Sequence, residues 1–210
     1  MSERRIPTRK STSKMTRRIA SAAILTAMAV VLMYLEIPLP FFPPFLKFDF
    51  SEVPVLIGTF ALGPLYGVAI ELAKNVIHLP VSHTAGIGEV SNFLNCSVFI
   101  ATAGIIYSKI RTRKPALISM AIATATFALM SCQFNYFITL PLYSQVLGFS
   151  NEAIIGMSVA VNPLIHTKFD LILWGFLPFN IFKGVVISAI TLVIYKPISK
   201  LINATAEKTK

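Results

Sequence analysis

Lys183 is the side chain in this sequence whose position most needs a chemical explanation. It sits in Pro178-Phe179-Asn180-Ile181-Phe182-Lys183-Gly184, inside a long apolar stretch and twelve residues before Lys196. On a helix that is about 18 Å from the basic edge of the stretch, too far for the ammonium to reach it, and no acid lies within its own turn. A charge so placed needs a carboxylate from another helix or a ligand. We expect Lys183 to face a ligand, with an interhelical ion pair as the alternative. Glu71 and Lys74 lie one turn apart and can pair on one helix face, which reads as structural. Glu89 and Asn92, also one turn apart, open a further apolar segment, and Asn135 lies within Cys132-Gln133-Phe134-Asn135-Tyr136-Phe137.

Reactive chemistry is thinly represented. Cys96 and Cys132 fall inside apolar segments without a Cys-x-x-Cys spacing and read as packing residues. His78, His83 and His166 lack metal-ligand spacing, so no metal site is expected. There is no phosphate-binding glycine loop, nucleophile elbow or His-Glu-x-x-His pattern. No catalytic residue is assigned, and neither an enzyme nor a resident cofactor is expected.

The elements that must position these groups follow from composition. Of 210 residues, 55% are hydrophobic and 13% charged, and the mean hydropathy is +0.71, outside the range of ordinary soluble domains. The net charge is +10, and fifteen of the 19 basic residues cluster in 1–18, 109–114 and from Lys196 onward. Basic clusters between long uncharged stretches orient a membrane protein; a nucleic-acid binder would carry a basic face, and none is visible. Ile19–Ile37 reads as a first span. A cleaved signal peptide is disfavoured, because Ala20-Ser21-Ala22 opens the apolar run instead of following it. Val53–Leu79 contains Gly63-Pro64, a break signal. Val90–Tyr107 is a span ending at the basic loop Lys109–Lys114. If that loop and the N-terminus share the cytoplasmic side, Val53–Leu79 must cross twice, as two short helices. Ala116–Leu140 and Leu171–Tyr195 complete the count.

The expected fold class is therefore an all-α membrane protein with six transmembrane helices and both termini cytoplasmic. Helices two and three are short and joined at Gly63-Pro64. Residues 1–18 form a basic segment, 19–200 one membrane domain and 201–210 a tail. Loops are expected at Pro38–Glu52, Pro80–Gly88 and Pro141–Phe169. The first combines four prolines with three phenylalanines in Pro38–Phe45 and should lie over something apolar. The polar groups gather toward the outer leaflet, as a pocket with apolar walls, a few amides and an ammonium. Such pockets suit amphipathic small molecules.

Several stretches together resemble a known family. They are Pro43-Pro44-Phe45-Leu46-Lys47-Phe48-Asp49-Phe50-Ser51-Glu52-Val53-Pro54, Phe60-Ala61-Leu62-Gly63-Pro64-Leu65-Tyr66-Gly67 and Glu71-x-x-Lys74-Asn75. Glu89-x-x-Asn92-Phe93-Leu94, Asn135-Tyr136-Phe137 with Leu140-Pro141-Leu142-Tyr143, and Pro178-Phe179-Asn180-x-x-Lys183-Gly184 complete the set. From about residue 19 to 200 the chain resembles the S components of energy-coupling factor (ECF) vitamin transporters, above all the riboflavin-specific type. The resemblance implies a bacterial plasma-membrane protein that captures riboflavin from outside. Delivery would involve a transmembrane coupling subunit and two cytoplasmic ATPases. It implies riboflavin contacts at Asn135, Lys183, Asn92, Asn180, Asp49, Lys47 and Phe48. Asn135, and after it Asn92, is the choice for the pyrimidine edge of the ring; Lys183, Asn180 and Asp49 suit the ribityl hydroxyls. Lys183 could also tolerate the phosphate of flavin mononucleotide. The implied coupling contact is a small-residue pattern on helix one, Ala23-x-x-x-Ala27 with Ala20 and Ala29. The alternatives are an S component for another vitamin, a membrane scaffold in which Lys183 pairs with an acid such as Glu89 or Asp170, and a small intramembrane enzyme.

Overall fold

The computed structural model describes residues 9–110 and 115–207. Residues 1–8, 111–114 and 208–210, which hold part of the expected basic N-terminal segment and most of the expected basic loop, lie outside the described residues. Helix α1 spans Arg9–Met33. It ends four residues before the expected Ile37, because Pro38 and Pro40 cannot donate to a continuing helix and the residue before a proline is driven extended. Ile37–Pro38 (β1) instead pairs antiparallel with Lys47–Phe48 (β2), Ile37 opposite Phe48 and Pro38 opposite Lys47. The Phe/Pro loop is thus pinned as a hairpin. Two of its three rings lie against the C-terminal part of the chain: Phe42 meets Phe179 edge-on with centroids 5.3 Å apart, and Phe45 lies 6.0 Å from Phe176, while Phe41 stays exposed.

The Gly63-Pro64 break occurs as expected. Helix α2 (Glu52–Leu62) and helix α3 (Pro64–His78) meet at Gly63, whose φ of +108° is open to glycine alone at little cost. Pro64 stands at the start of α3, where a missing N–H is harmless. Helix α4 is Ile87–Lys109 and α5 is Pro115–Phe134. The chain stays helical beyond α5, through a π turn at Asn135–Thr139 and α6 (Leu140–Leu147). The expected loop Pro141–Phe169 therefore begins later, and it holds α7 (Asn151–Val159), capped by Ser150. Helix α8 (Lys168–Asp170), a π turn at Leu171–Phe176 and α9 (Leu177–Glu207) form the last rod. Each π turn stops two residues before a proline, Pro141 or Pro178. The wider turn accommodates the proline without breaking the rod, a device that often marks functional sites.

Among the described residues, four helical stretches are long and apolar enough to cross a membrane: Lys14–Met33, Ile87–Lys109, Ala116–Leu147 and Lys168–Tyr195. Helix α2, with 11 residues, is shorter but buried on every side, ten of those residues being inaccessible. A helix apolar all round belongs in the middle of a bundle. Accordingly α2 packs against α1, α3, α4 and α9, while α5 closes the ring between α4 and α9.

Candidate ligand site

One end of the bundle holds a cavity of about 170 Å³, against the ~10–15 Å³ that one water requires. The ends of several helices build it. The start of α4 supplies Ser91, Asn92, Asn95 and Cys96, the α5 rod supplies Phe127, Asn135 and Thr139, and the last rod supplies Phe176, Phe179, Asn180 and Lys183. The hairpin covers it with Phe45, Leu46, Lys47 and Asp49, and His78 and Glu89 stand at its rim. Both π turns lie at this level, and each is followed or begun by a buried amide, Asn180 or Asn135.

Beneath the cavity runs a chain of buried charges. Lys183 Nζ lies 3.1 Å from Asp49 Oδ2 and 3.4 Å from Glu52 Oε1. Glu52 Oε1 also accepts from Lys74 Nζ at 2.7 Å, and Lys74 lies 2.9 Å from Glu71 Oε2. Lys74 further donates to Ser51 Oγ at 2.7 Å. In a low-dielectric bundle such pairs persist because each charge has an opposite partner. Glu52, Glu71 and Cys96 bring potential metal-ligating atoms within 4.8 Å of one another. The Lys74 ammonium stands between the two carboxylates, where a cation would bind them.

A second chain is neutral. Asn135 Nδ2 donates to the Ser131 carbonyl at 2.7 Å, and its Oδ1 accepts from Ser91 Oγ at 3.2 Å. Ser91 Oγ in turn accepts from Thr139 Oγ1 at 2.9 Å and from Asn95 Nδ2 at 3.2 Å. Asn92 Nδ2 donates to Asn75 Oδ1 at 3.2 Å, while Cys96 Sγ donates to Asn92 Oδ1. At the rim, His78 Nδ1 is 2.8 Å from Glu89 Oε1 and Ser82 Oγ donates to Glu89 Oε2 at 2.7 Å. Serine and histidine both bind the glutamate instead of each other. The trio therefore ties the loop ahead of α4 to the end of α3.

Of the residues singled out in the sequence, Asn135, Lys183, Asn92, Asn180, Asp49 and Lys47 all line this cavity. Phe48 does not. Neighbouring strand residues point to opposite faces, and Phe48 turns into the packing of Phe50 and Phe182, at 5.0 and 5.6 Å. Lys183 has an acidic partnership as well as a place in the cavity lining, but with Asp49 and Glu52 in place of Glu89 or Asp170. Asp170 instead closes a capping box with Thr167. On α1, Ala20, Ala23 and Ala27 are exposed, whereas Ala29 is fully buried and faces the core. Sequence reasoning passed over Asn95, Ser91 and Thr139. The available signal was the polar run Ser91, Asn92, Asn95 at helical spacing in an otherwise apolar segment. Walls of phenylalanine, four amides and two ammonium groups suit a flat, amphipathic molecule bearing amide-like edges and hydroxyls.

Comparison with known proteins agrees with this composition. Residues 17–195 match the family described as "ECF transporter, substrate-specific component". Riboflavin transporter RibU of Staphylococcus aureus (strain TCH60) is 34% identical over 194 residues, 92% of this chain and 96% of that protein. Riboflavin transporter FmnP of Bacillus subtilis (strain 168) is 32% identical over 185 residues, covering 85% and 90%. A solved structure described as "Structure and mechanism of the S component of a bacterial ECF transporter" superposes with a TM-score of 0.71 at 32% identity, over 90% of this chain and 98% of that one. With the helical bundle and its polar cavity already in place, the match over most of the chain is decisive: the protein belongs to the substrate-specific components of ECF transporters.

Proposed function

We infer that this chain is the riboflavin-binding S component of an ECF importer in the bacterial plasma membrane. The observation that carries the reading is the cavity itself. Aromatic side chains of the hairpin and the last rod face a row of amides, and Lys183 with Asp49 closes one end. The isoalloxazine ring suits the walls. The ribityl hydroxyls find acceptors and donors in Asp49, Asn180 and Lys183, and Asn92 and Asn135 belong to the amide-bearing wall along the ring. Lys47, paired with Glu36 at the cavity mouth, is placed to meet a ligand on entry. The chain performs no bond-making step in this reading; a coupling subunit and two ATPases supply the energy.

Six crossings with cytoplasmic termini accompany the proposal. The two short helices, about 16 Å and 22 Å long at 11 and 15 residues, are covered by longer neighbours that fill out the ~30 Å hydrocarbon core. The exposed Ala20, Ala23 and Ala27 face of α1 offers the coupling subunit a surface on which helices approach closely.

The test is direct. Chain purified in detergent without added vitamin carries a yellow flavin or quenches added riboflavin fluorescence at sub-micromolar concentration. Lys183→Ala and Asn180→Ala each weaken binding about tenfold or more. Absence of riboflavin binding at micromolar concentration overturns the reading, and binding of another vitamin in its place would point to a differently specific S component.

A further inference from the structure

We propose that Asn95 is the residue that reads the ring N–H of the ligand, with Asn135 as a positioning residue behind it. The inference rests on the riboflavin reading above and assigns one polar edge within it. Five buried side-chain oxygens among the described residues have neither a hydrogen-bond nor an ion-pair partner: Glu52 Oε2, Asn95 Oδ1 and the hydroxyls of Ser97, Ser131 and Thr191. Asn95 alone among their residues lines the cavity. Asn95 is buried, at 7% exposure, so only a molecule inside the cavity, a ligand or the water it displaces, can satisfy that oxygen. An unsatisfied buried acceptor is costly unless something fills it.

The orientation of the amide follows from its neighbours. The Ser131 carbonyl can only accept, so Asn135 must present Nδ2 to it and turn Oδ1 toward Ser91. Ser91 has a single hydroxyl hydrogen, and that hydrogen goes to Asn135 Oδ1. Towards its other two partners Ser91 Oγ is therefore an acceptor, and Thr139 Oγ1 and Asn95 Nδ2 must both donate to it. Asn95 is thereby locked with Nδ2 inward and Oδ1 left over. A flipped Asn95 would set two acceptors against each other. The donor sequence starting at one backbone carbonyl thus ends in a free acceptor on Asn95, a residue of the cavity lining. Asn135, whose oxygen and nitrogen are both engaged, supports that orientation.

A flavin's pyrimidine edge carries one N–H between two carbonyls. Asn95 Oδ1 matches the N–H, and the second Nδ2 hydrogen, unused by Ser91, is available to an adjacent carbonyl. A site with a committed acceptor rejects an analogue that cannot donate.

The experiment compares riboflavin with N3-methylriboflavin, which lacks the donor, by fluorescence quenching on the full chain in detergent. Wild type prefers riboflavin by at least tenfold. Asn95→Ala loses about 10- to 100-fold in riboflavin affinity and binds the two ligands within about threefold of each other. Asn95→Leu, close in size but without an acceptor, likewise loses the preference and serves as the second variant should Asn95→Ala fold poorly. Riboflavin binding with the preference intact in Asn95→Ala or Asn95→Leu overturns the assignment alone. A wild type that binds riboflavin without preference also overturns it, and a wild type that binds neither ligand overturns the riboflavin reading with it.

Discussion

At the scale of single residues, the two lysines outside the basic clusters that carry the clearest contrast are Lys74 and Lys47. Lys74 is fully buried, with Glu52 at 2.7 Å and Glu71 at 2.9 Å. Lys74→Met leaves Glu71 without its cation and Glu52 with only the more distant Lys183, and should cost about 3–5 kcal/mol, read as a fall of the thermal midpoint in detergent. Lys47 and Glu36 keep 32% and 24% of their side chains exposed, so Lys47→Ala should cost under ~1 kcal/mol. Equal losses in the two variants would contradict this account. The Glu71–Lys74 pair was legible from its spacing. Glu52 as the bridge to Lys183 was not, since Glu52 lies 22 positions from Lys74 and Asp49 lies 134 from Lys183.

At the scale of elements, glycines decide how closely the short helices approach. A Cβ on Gly67 of α3 would meet Thr59 Oγ1 at 2.0 Å and Ile100 Cγ2 at 2.7 Å, and one on Gly104 of α4 would meet Thr59 Cγ2 at 2.6 Å. Three helices thus converge on Thr59. Gly67→Val must separate them and should destabilise by about 1–3 kcal/mol or more, seen as a lower thermal midpoint and a broadened size-exclusion peak. Gly156 of α7 has nothing within 4 Å, so Gly156→Ala should be neutral or stabilising by up to ~1 kcal/mol. The break between α2 and α3 was readable because glycine and proline punctuate locally. The continuation of α5 past Pro141 was not, because the π turn that absorbs a proline depends on neighbouring helices holding the rod together.

At the scale of the whole molecule, the six-crossing arrangement and the α1 surface make separate claims. Cysteines placed at His83 and Ser108 should differ in intact cells. His83→Cys should react with a membrane-impermeant thiol reagent, and Ser108→Cys only after permeabilisation; labelling on the same side would refute the topology. Ala23→Trp or Ala27→Trp should abolish co-purification with the coupling subunit while riboflavin affinity stays within about twofold. Retained assembly would exclude that face, which is exposed on an isolated chain.

Apolar run lengths, prolines, glycines and the clustering of basic residues are properties of the chain in one dimension. They were enough for a helical membrane protein, the short helix pair and several of the polar residues that line the cavity. Which of those polar groups are already committed to each other is a three-dimensional property. Lys183 is held by Asp49 and Glu52, Phe48 turns away from the cavity, and Asn135 is tied at both ends while Asn95 is left with a free oxygen. Hydrogen bonds and ion pairs require donor and acceptor within about 3 Å and in the right orientation, and only the packed bundle brings residues so distant in sequence to that range.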